Sequence, residues 1–180
     1  EKETGVTTFK LQHAIDTGNI LLQAILPIDE NENAGEVHDK MKELGANVLL
    51  QTVKGIAEQS LQEFSQIETE GEIVLKHAPK IFTETCKIDF TKSVEEVHNL
   101  IRGLSPFPGA FSFLQNKMLK IYASKKELIA PQHSIGEVVS DEKTFLKFTC
   151  SNGYIHVLQL QLEGKKKMNV EDFLRGNKIG

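Results

Sequence analysis

The chain has 180 residues, of which 39% are apolar, and a sequence of this length and composition can bury a sizeable core. Its two cysteines, Cys86 and Cys150, are too few for a disulfide framework and lack the spacing of a metal site, so we expect no metal and a reduced, cytoplasmic setting. No apolar run reaches the roughly 20 residues of a membrane-spanning helix, and the sequence starts without a secretion signal, so we expect no membrane partner.

Charge divides the chain into two parts. Residues 1–75 contain 5 Lys and Arg against 14 Asp and Glu, a net charge of −9, whereas residues 76–180 contain 16 against 11, a net charge of +5. This asymmetry predicts two modules with different partners, the basic module being the candidate for a polyanion. The chain also lacks an initiating Met and starts just before a predicted strand, so we expect it to be the C-terminal portion of a longer protein.

The first module is predicted as strand, turn, strand and helix. β-Branched and aromatic residues over 4–12 predict a strand that leads to Asp16 on a Thr-Gly turn. The nearly continuous apolar run of residues 20–28 predicts a second strand that is buried on both faces. Asn33 and Glu36 form a capping-box pattern, and helical spacing continues to about residue 58. The pattern alone leaves Asp16 open as either a turn former or an active-site acid.

The second module is predicted to be mostly β-sheet. Residues 59–87 are interpreted as a linker, and Ser93 with Glu96 forms a second capping box that starts a short helix. Five strands follow, separated by turns, at residues 110–115, 118–124, 135–140, 144–150 and 154–163. A five-stranded antiparallel module of this size is compatible with a small closed barrel of the oligonucleotide-binding type. Asn169 can cap a final helix over residues 170–175.

Residues 4–19 closely resemble the segment of folate-dependent formyltransferases that carries the catalytic Asp. Residues 34–40, 101–110 and 162–169 resemble the members of this family that act on methionyl-tRNA, so the resemblance covers essentially the whole chain. It implies an α/β plus all-β architecture. Residues 1–75 would be the C-terminal part of a Rossmann-like catalytic domain with the start of a linker, and residues 76–180 the linker end and an OB-fold-like five-stranded β-barrel.

The resemblance implies transfer of a formyl group from 10-formyltetrahydrofolate to the α-amine of initiator methionyl-tRNA in translation initiation. Asp16 would be the catalytic carboxylate, orienting a His and helping a water to relay protons. The loop beside the pterin would be formed by His13, Ala14, Ile15, Thr17 and Gly18. The family places its Asn-x-His motif upstream of this segment, and because the chain has no such motif we expect it to be inactive alone.

The resemblance also implies that the basic module holds the tRNA body while the linker follows the acceptor arm. Cations of this kind give sequence-independent, salt-sensitive affinity for phosphates. Arg102 can equally complement the C-terminal end of its helix, and a run of lysines can equally form a solvated turn. The residues assigned to tRNA phosphates are Lys76, Lys80, Arg102, Lys117, Lys120, Lys165, Lys166 and Lys167.

Two other functions stay open. A related formyl-folate enzyme, such as a nucleotide-sugar formyltransferase or a formyl-folate hydrolase, would share the Asp16 segment, and the isolated chain could be an RNA-binding module without activity. The chain also carries Phe90 and Phe107 where family members often have Trp; an aromatic core plug survives such a replacement, whereas any contact that needs an indole N–H is lost. The full-length protein is expected to be a monomer, whereas an exposed sheet edge at residues 20–28 predicts dimerisation or partial disorder of the chain by itself.

Overall fold

A computed structural model describes residues 1–66 and 77–179, which form two compact units. The first unit comprises residues 1–32 and 36–79, and the second comprises residues 33–35 and 80–180. In the described residues, no helix is both long enough and apolar enough to cross a membrane. The same residues contain no group of three or more His, Cys, Asp or Glu side chains that could hold a metal ion.

The first unit is a two-stranded antiparallel sheet and one long helix. Strand β1 (Glu3–Phe9) pairs with strand β2 (Ile20–Pro27), and helix α1 (Ala34–Ala57) follows. The predicted order of strand, turn, strand and helix is therefore confirmed. The helix starts directly after Asn33, whose side-chain oxygen accepts a hydrogen bond from the Gly35 N–H at 2.9 Å.

Helix α1 covers one face of the β1–β2 sheet. The hydroxyls of Thr8 and Thr52 lie 2.8 Å apart, and a side chain at Gly45 would touch Val6 at 3.8 Å. Leu22 is the cross-strand neighbour of Thr8 and is partly buried on the same face. Ile25 lies on the other face and is 72% exposed. The prediction that β2 is buried on both faces is therefore wrong for the described structure, because one helix can cover only one face.

The second unit contains six strands and two α-helices. Its elements, numbered on from the first unit, are α2 (Val94–Gly103), β3 (Ala110–Leu114), β4 (Lys117–Glu127), β5 (Val138–Ser140), β6 (Leu146–Cys150), β7 (Gly153–Leu162), β8 (Met168–Asn169) and α3 (Val170–Gly176), with a 3-10 turn at Glu84–Cys86 before α2. The strands form one antiparallel sheet in the order β3-β4-β7-β6-β5, and β8 pairs with β7. The five predicted strands are confirmed. β8 was missed because a two-residue strand carries no alternation pattern.

The core of the second unit lies between the sheet and helix α2. Leu119 and Ile121 of β4 are fully buried, as are Val94 and Ile101 of the helix. Phe90 stacks on Phe148 with ring centroids 4.7 Å apart, as expected for a core aromatic residue.

Phe107 does not plug the core. Its side chain is 85% exposed, so the interpretation of this residue as an aromatic core plug does not hold. Phe107 lies between Pro106 and Pro108 on the turn that joins α2 to β3, outside both elements that build the core.

The turn between β6 and β7 caps the start of α2. The capping box is confirmed, because Ser93 accepts from the Glu96 N–H while Glu96 accepts from the Ser93 N–H. The Asn152 side chain also accepts a hydrogen bond from the Val94 N–H at 2.8 Å. A side chain on the next residue, Gly153, would overlap the carbonyl oxygen of Glu127. Hairpin turn, strand end and helix start therefore share one junction.

Helix α3 starts without the predicted side-chain cap. Asn169 is its N-cap residue, but the Asn169 side chain makes no capping hydrogen bond. Its amide oxygen instead accepts from Nε2 of Gln159 at 3.3 Å, across the pairing of β7 with β8. The Asn169 side chain, which the sequence predicts as the cap of α3, thus bonds across the β7–β8 strand pair instead.

Candidate active-site loop and basic surfaces

Asp16 lies on an exposed loop between β1 and β2. The loop is closed at its base by a hydrogen bond from the Lys10 N–H to the Asn19 carbonyl at 2.9 Å. Asp16 has φ of 57°, in the left-handed region that Asp and Asn tolerate better than most residues. Its carboxylate is exposed, and the Thr17 hydroxyl braces the same turn by donating to the Ala14 carbonyl at 3.1 Å. The local fold therefore leaves the Asp16 carboxylate open to solvent on a braced turn.

A segment after helix α1 holds the loop from its other side. The Gln66 side chain donates hydrogen bonds to the carbonyls of Asp16 at 3.0 Å and of Gly18 at 2.5 Å. Glu63 accepts from Lys10 Nζ at 2.8 Å and from the Asn19 side chain at 3.0 Å. These hydrogen bonds lower the pKa of the Glu63 carboxyl, the one from Lys10 most strongly. The interpretation of residues 59–87 as a linker, of which 67–76 lie outside the described residues, did not include this support.

The structure brings the predicted folate-contacting residues together on the same loop. Side chains at positions 13–17 are exposed, with Ile15 at 88%, whereas Gly18 is buried. A Cβ at Gly18 would overlap the carbonyl oxygen of Lys10, so this position needs glycine. The five positions with Asp16 are His13, Ala14, Ile15, Thr17 and Gly18.

Several predicted phosphate-binding lysines cluster around one end of strands β4 and β7. Lys120 is the cross-strand neighbour of Gln161, and the Gln161 side chain donates to the Lys165 carbonyl at 2.9 Å. The ammonium group of Lys167 lies 4.8 Å from the ring centroid of Tyr122, a cation–π distance. Lys117 starts strand β4 on this side, and Lys165, Lys166 and Lys167 are exposed.

The remaining predicted cations are placed separately. Lys80 Nζ lies 5.6 Å from the ring centroid of Phe82, ahead of the 3-10 turn. Arg102 lies in the last turn of α2, the position of its alternative helix-end role, and its Nε donates to the Asn99 side chain at 2.7 Å. Lys76 lies outside the described residues.

A second polar cluster was missed by sequence reasoning. Glu127 accepts hydrogen bonds from Lys147 Nζ and from His156 Nε2, each at 2.7 Å. Lys147 Nζ also lies 4.0 Å from the centroid of the Tyr154 ring. The Lys147 hydrogen bond is the main cause that lowers the pKa of Glu127, and His156 adds to it. Lys147 and His156 are cross-strand neighbours of β6 and β7, so correct strand pairing could have found them.

Comparison with known proteins gives matches over both units. The family model described as "Formyl transferase, C-terminal domain" matches residues 80–178, and the model described as "Formyl transferase" matches residues 1–53. The chain is 45% identical to the methionyl-tRNA formyltransferase of Phocaeicola vulgatus over 98% of this chain and 56% of that protein. It is also 45% identical to that of Azobacteroides pseudotrichonymphae, over 98% of this chain and 57% of that protein. The chain thus spans little more than half the length of these relatives.

Solved structures share the fold at lower identity. HypX from Aquifex aeolicus in complex with tetrahydrofolic acid aligns with a TM-score of 0.69 at 18% identity, covering 100% of this chain and 32% of HypX. An N-formyltransferase from Helicobacter canadensis, in complex with folinic acid and dTDP-3-aminofucose, aligns with a TM-score of 0.60 at 22% identity, covering 93% of this chain and 57% of that protein.

Proposed function

Because the chain belongs to the formyl transferase family, we propose that the protein carrying it transfers a formyl group from 10-formyltetrahydrofolate to the α-amine of initiator methionyl-tRNA. One observation carries the proposal. The chain is 41–45% identical to several methionyl-tRNA formyltransferases over at least 98% of its length, so both the Asp16 loop and the basic unit match them. This reaction is a step of translation initiation.

Asp16 is the catalytic carboxylate of this proposal. In formyl transfer the amine attacks the formyl carbon, the formyl oxygen takes up negative charge, and a proton moves from the attacking nitrogen to the leaving nitrogen of the folate. An exposed carboxylate on a loop held by Gln66 and Glu63 can orient an imidazole and a water for that proton movement. The backbone of His13, Ala14, Ile15, Thr17 and Gly18 forms the adjoining wall for the pterin.

The second unit is assigned to tRNA. We infer that its curled antiparallel sheet acts as an OB-fold-like barrel and that residues 76–87 lead from the catalytic domain into it. Phosphates of the tRNA are contacted by Lys76, Lys80, Arg102, Lys117, Lys120, Lys165, Lys166 and Lys167. The clustering of Lys117, Lys120 and Lys165–Lys167 at one end of the sheet supports this assignment, since close cations strengthen binding to a polyanion.

A related formyl-folate enzyme is the second candidate. It is favoured by the fold shared with the Helicobacter canadensis N-formyltransferase, whose structure contains dTDP-3-aminofucose. The basic second unit and the match to tRNA-acting relatives favour tRNA instead. The chain contains no Asn-x-His segment, so we infer that these 180 residues bind RNA without catalysing transfer by themselves.

Location and assembly follow from the same proposal. We infer a cytoplasmic site of action, where initiator tRNA is charged, and a monomeric full-length enzyme. In the described residues, β1 and β2 pair with each other and, through Ile20, with Phe64. Their open edges and the exposed Ile25 lead us to expect dimerisation when the chain is produced alone.

The deciding experiment measures formyl transfer to methionyl-initiator tRNA by the complete reading frame that carries this chain. We expect Asp16→Asn to lower the transfer rate at least about a hundredfold while tRNA binding is retained. Asp39→Asn, an exposed aspartate on α1, is the matched control and keeps the rate. Formylation of an amino sugar, or release of formate without transfer to tRNA, would instead identify a related formyl-folate enzyme.

A further inference from the structure

A groove of about 600 Å³ lies on the outward face of strands β3 and β4 in the second unit. Its floor includes Phe111, Met118 and Lys120, and its walls include Phe82 and Phe107. Phe111 and Lys120 are cross-strand neighbours, and the buried Leu119 and Ile121 point to the opposite side. None of the described lining residues belongs to the Asp16 loop, whereas the floor of the groove rests on the core, since Phe111 and Cys86 are also members of the core cluster.

The aromatic walls of the groove are open to solvent. Phe107 is 85% exposed and Phe82 is 55% exposed, and both rings border the same cavity. The flanking Pro106 and Pro108 restrict the backbone on both sides of Phe107, so the ring is carried on a stiff turn. Clustered exposed aromatic groups are typical of a binding surface rather than of a solvated turn.

Among the described residues, the charge of the groove lining comes from one lysine; two carboxylates lie at neighbouring positions, Glu84 between the lining residues Thr83 and Cys86 and Glu163 as acceptor of the Met118 N–H. Lys120 is the one charged lining residue, and its ammonium group donates a single hydrogen bond to the Pro108 carbonyl at 2.9 Å. An ammonium group has three N–H donors, so two stay available to a ligand. Lys80 Nζ lies 5.6 Å from the Phe82 ring centroid, and Lys87 Nζ lies 5.9 Å from that of Phe113.

We propose that this groove binds an unpaired nucleotide of RNA. Its base stacks on the Phe107 ring against Phe82, and its phosphate contacts Lys120 with Lys80 nearby. Aromatic rings interleaved with ammonium groups are the means by which proteins bind single-stranded nucleic acid without reading its sequence. An apolar peptide would use the rings but not the surrounding cations, so charge complementarity favours the nucleotide. The inference rests on the proposed tRNA function and adds an unpaired nucleotide to the phosphate contacts.

The test measures binding of a single-stranded RNA of about eight nucleotides to the chain by fluorescence anisotropy. We expect Phe107→Ala to weaken binding about tenfold, and Phe107→Trp to restore it, because either aromatic ring can stack. Phe64→Ala removes an exposed ring from the first unit and is the matched control, expected to bind like the unsubstituted chain. Phe107 is mostly exposed, so its truncation leaves the core intact.

A second experiment tests whether Phe107→Ala weakens binding because a base stacks on the ring or only because apolar contact area is lost. An abasic site is placed at each RNA position in turn, and the most sensitive position is combined with Phe107→Ala. If base and ring contact each other, the two losses overlap, and the double change costs little more than either alone. Fully additive losses at every position would contradict the inference.

The remaining outcomes distinguish this inference from the function on which it rests. If folded tRNA binds with steep salt dependence but Phe107→Ala and Phe82→Ala leave single-stranded RNA binding unchanged, the groove proposal is overturned and the tRNA function stands. If the chain binds neither folded tRNA nor single-stranded RNA at low salt, the proposed assignment of the second unit to tRNA is overturned and this inference with it. If an apolar peptide binds the groove and added RNA does not displace it, the groove is assigned to a protein partner and the proposal is overturned.

Discussion

The carbonyl oxygen of Lys10 occupies the space that any side chain at Gly18 would need. The two residues stand at the base of the Asp16 loop, where the Lys10 N–H is bonded to the Asn19 carbonyl at 2.9 Å. The two strands of the loop base therefore come so close together that only a glycine, which has no Cβ, fits at position 18. The position of the Asp16 carboxylate depends on this approach.

Replacing Gly18 by Ala should open the loop base and release Asp16. We expect the free energy of unfolding of the first unit to fall by about 3 kcal/mol, because the overlap is with backbone that cannot rotate away. Hydrogen exchange of the β1 and β2 amides measures this change. Gly103→Ala is the control, since a Cβ there meets nothing within 4 Å, and it should leave exchange unaltered. Equal protection in Gly18→Ala would contradict the assignment of a fixed loop.

The lysines at the end of the sheet should set the salt dependence of tRNA binding. Replacing Lys165, Lys166 and Lys167 by Ala should flatten the slope of log affinity against log salt by up to about 3, roughly one for each phosphate that is no longer neutralised. The slope is measured by filter binding of folded tRNA between low and physiological salt. Replacing Lys2, Lys42 and Lys54 of the first unit removes the same charge and should leave the slope nearly unchanged. A slope near zero in the unsubstituted chain would remove RNA from its partners.

The sequence predicted helices, strands and turns correctly where the stabilising hydrogen bonds join residues only a few positions apart. The Ser93 and Glu96 capping box was placed correctly because both hydrogen bonds are formed within one turn of helix. The strands around the turn at Asp141 were found for the same reason, since Asp141 accepts N–H bonds from the three residues after Glu142. The exposure of Ile25 and Phe107 was not predicted, because burial depends on what other elements cover, which no local pattern contains.

The candidate site likewise has one part that a local motif predicts and one part that depends on residues distant along the chain. Asp16 and its neighbours could be proposed from a contiguous motif, whereas their support by Glu63 and Gln66 comes from residues 44 to 50 positions away. The Glu127, Lys147 and His156 cluster unites three strands and has no sequence motif. Such groupings follow from strand register, which was not predicted.

The Glu127 cluster should make the second unit sensitive to acid. The pKa of Glu127 is lowered from its ordinary 4.5, so its stabilisation is present above that value and is lost as the pH falls through the lowered pKa. Glu127→Gln should therefore cost up to about 1 kcal/mol at pH 7, and the difference from the unsubstituted chain should shrink below pH 4.5. Urea unfolding at a series of pH values measures this. In a double-mutant cycle with Lys147→Met, additive effects would show that the pair contributes nothing.

Association of the isolated chain should depend on the exposed face and edge of β2. We expect sedimentation to show concentration-dependent association, and Ile25→Lys to weaken it, since a charge on this strand opposes pairing with a second copy. Leu158→Lys places the same charge on an exposed apolar position of β7 and should leave association unaltered. A monomer at all concentrations, with β2 amides protected from exchange, would rule out the edge as an interface.

The hydrogen bond from the Val94 N–H to the Asn152 side chain links the start of helix α2 to the β6–β7 turn, which lies far away along the chain. The β6–β7 turn supplies a hydrogen-bond acceptor to the first N–H of α2, and the Ser151 N–H donates back to the Lys92 carbonyl at 3.1 Å. Neither element can fray without breaking a bond of the other, so the helix start and the hairpin should open as one cooperative unit in exchange experiments. The helix, though made of local contacts, therefore reaches its final stability only after a turn almost sixty residues later has closed.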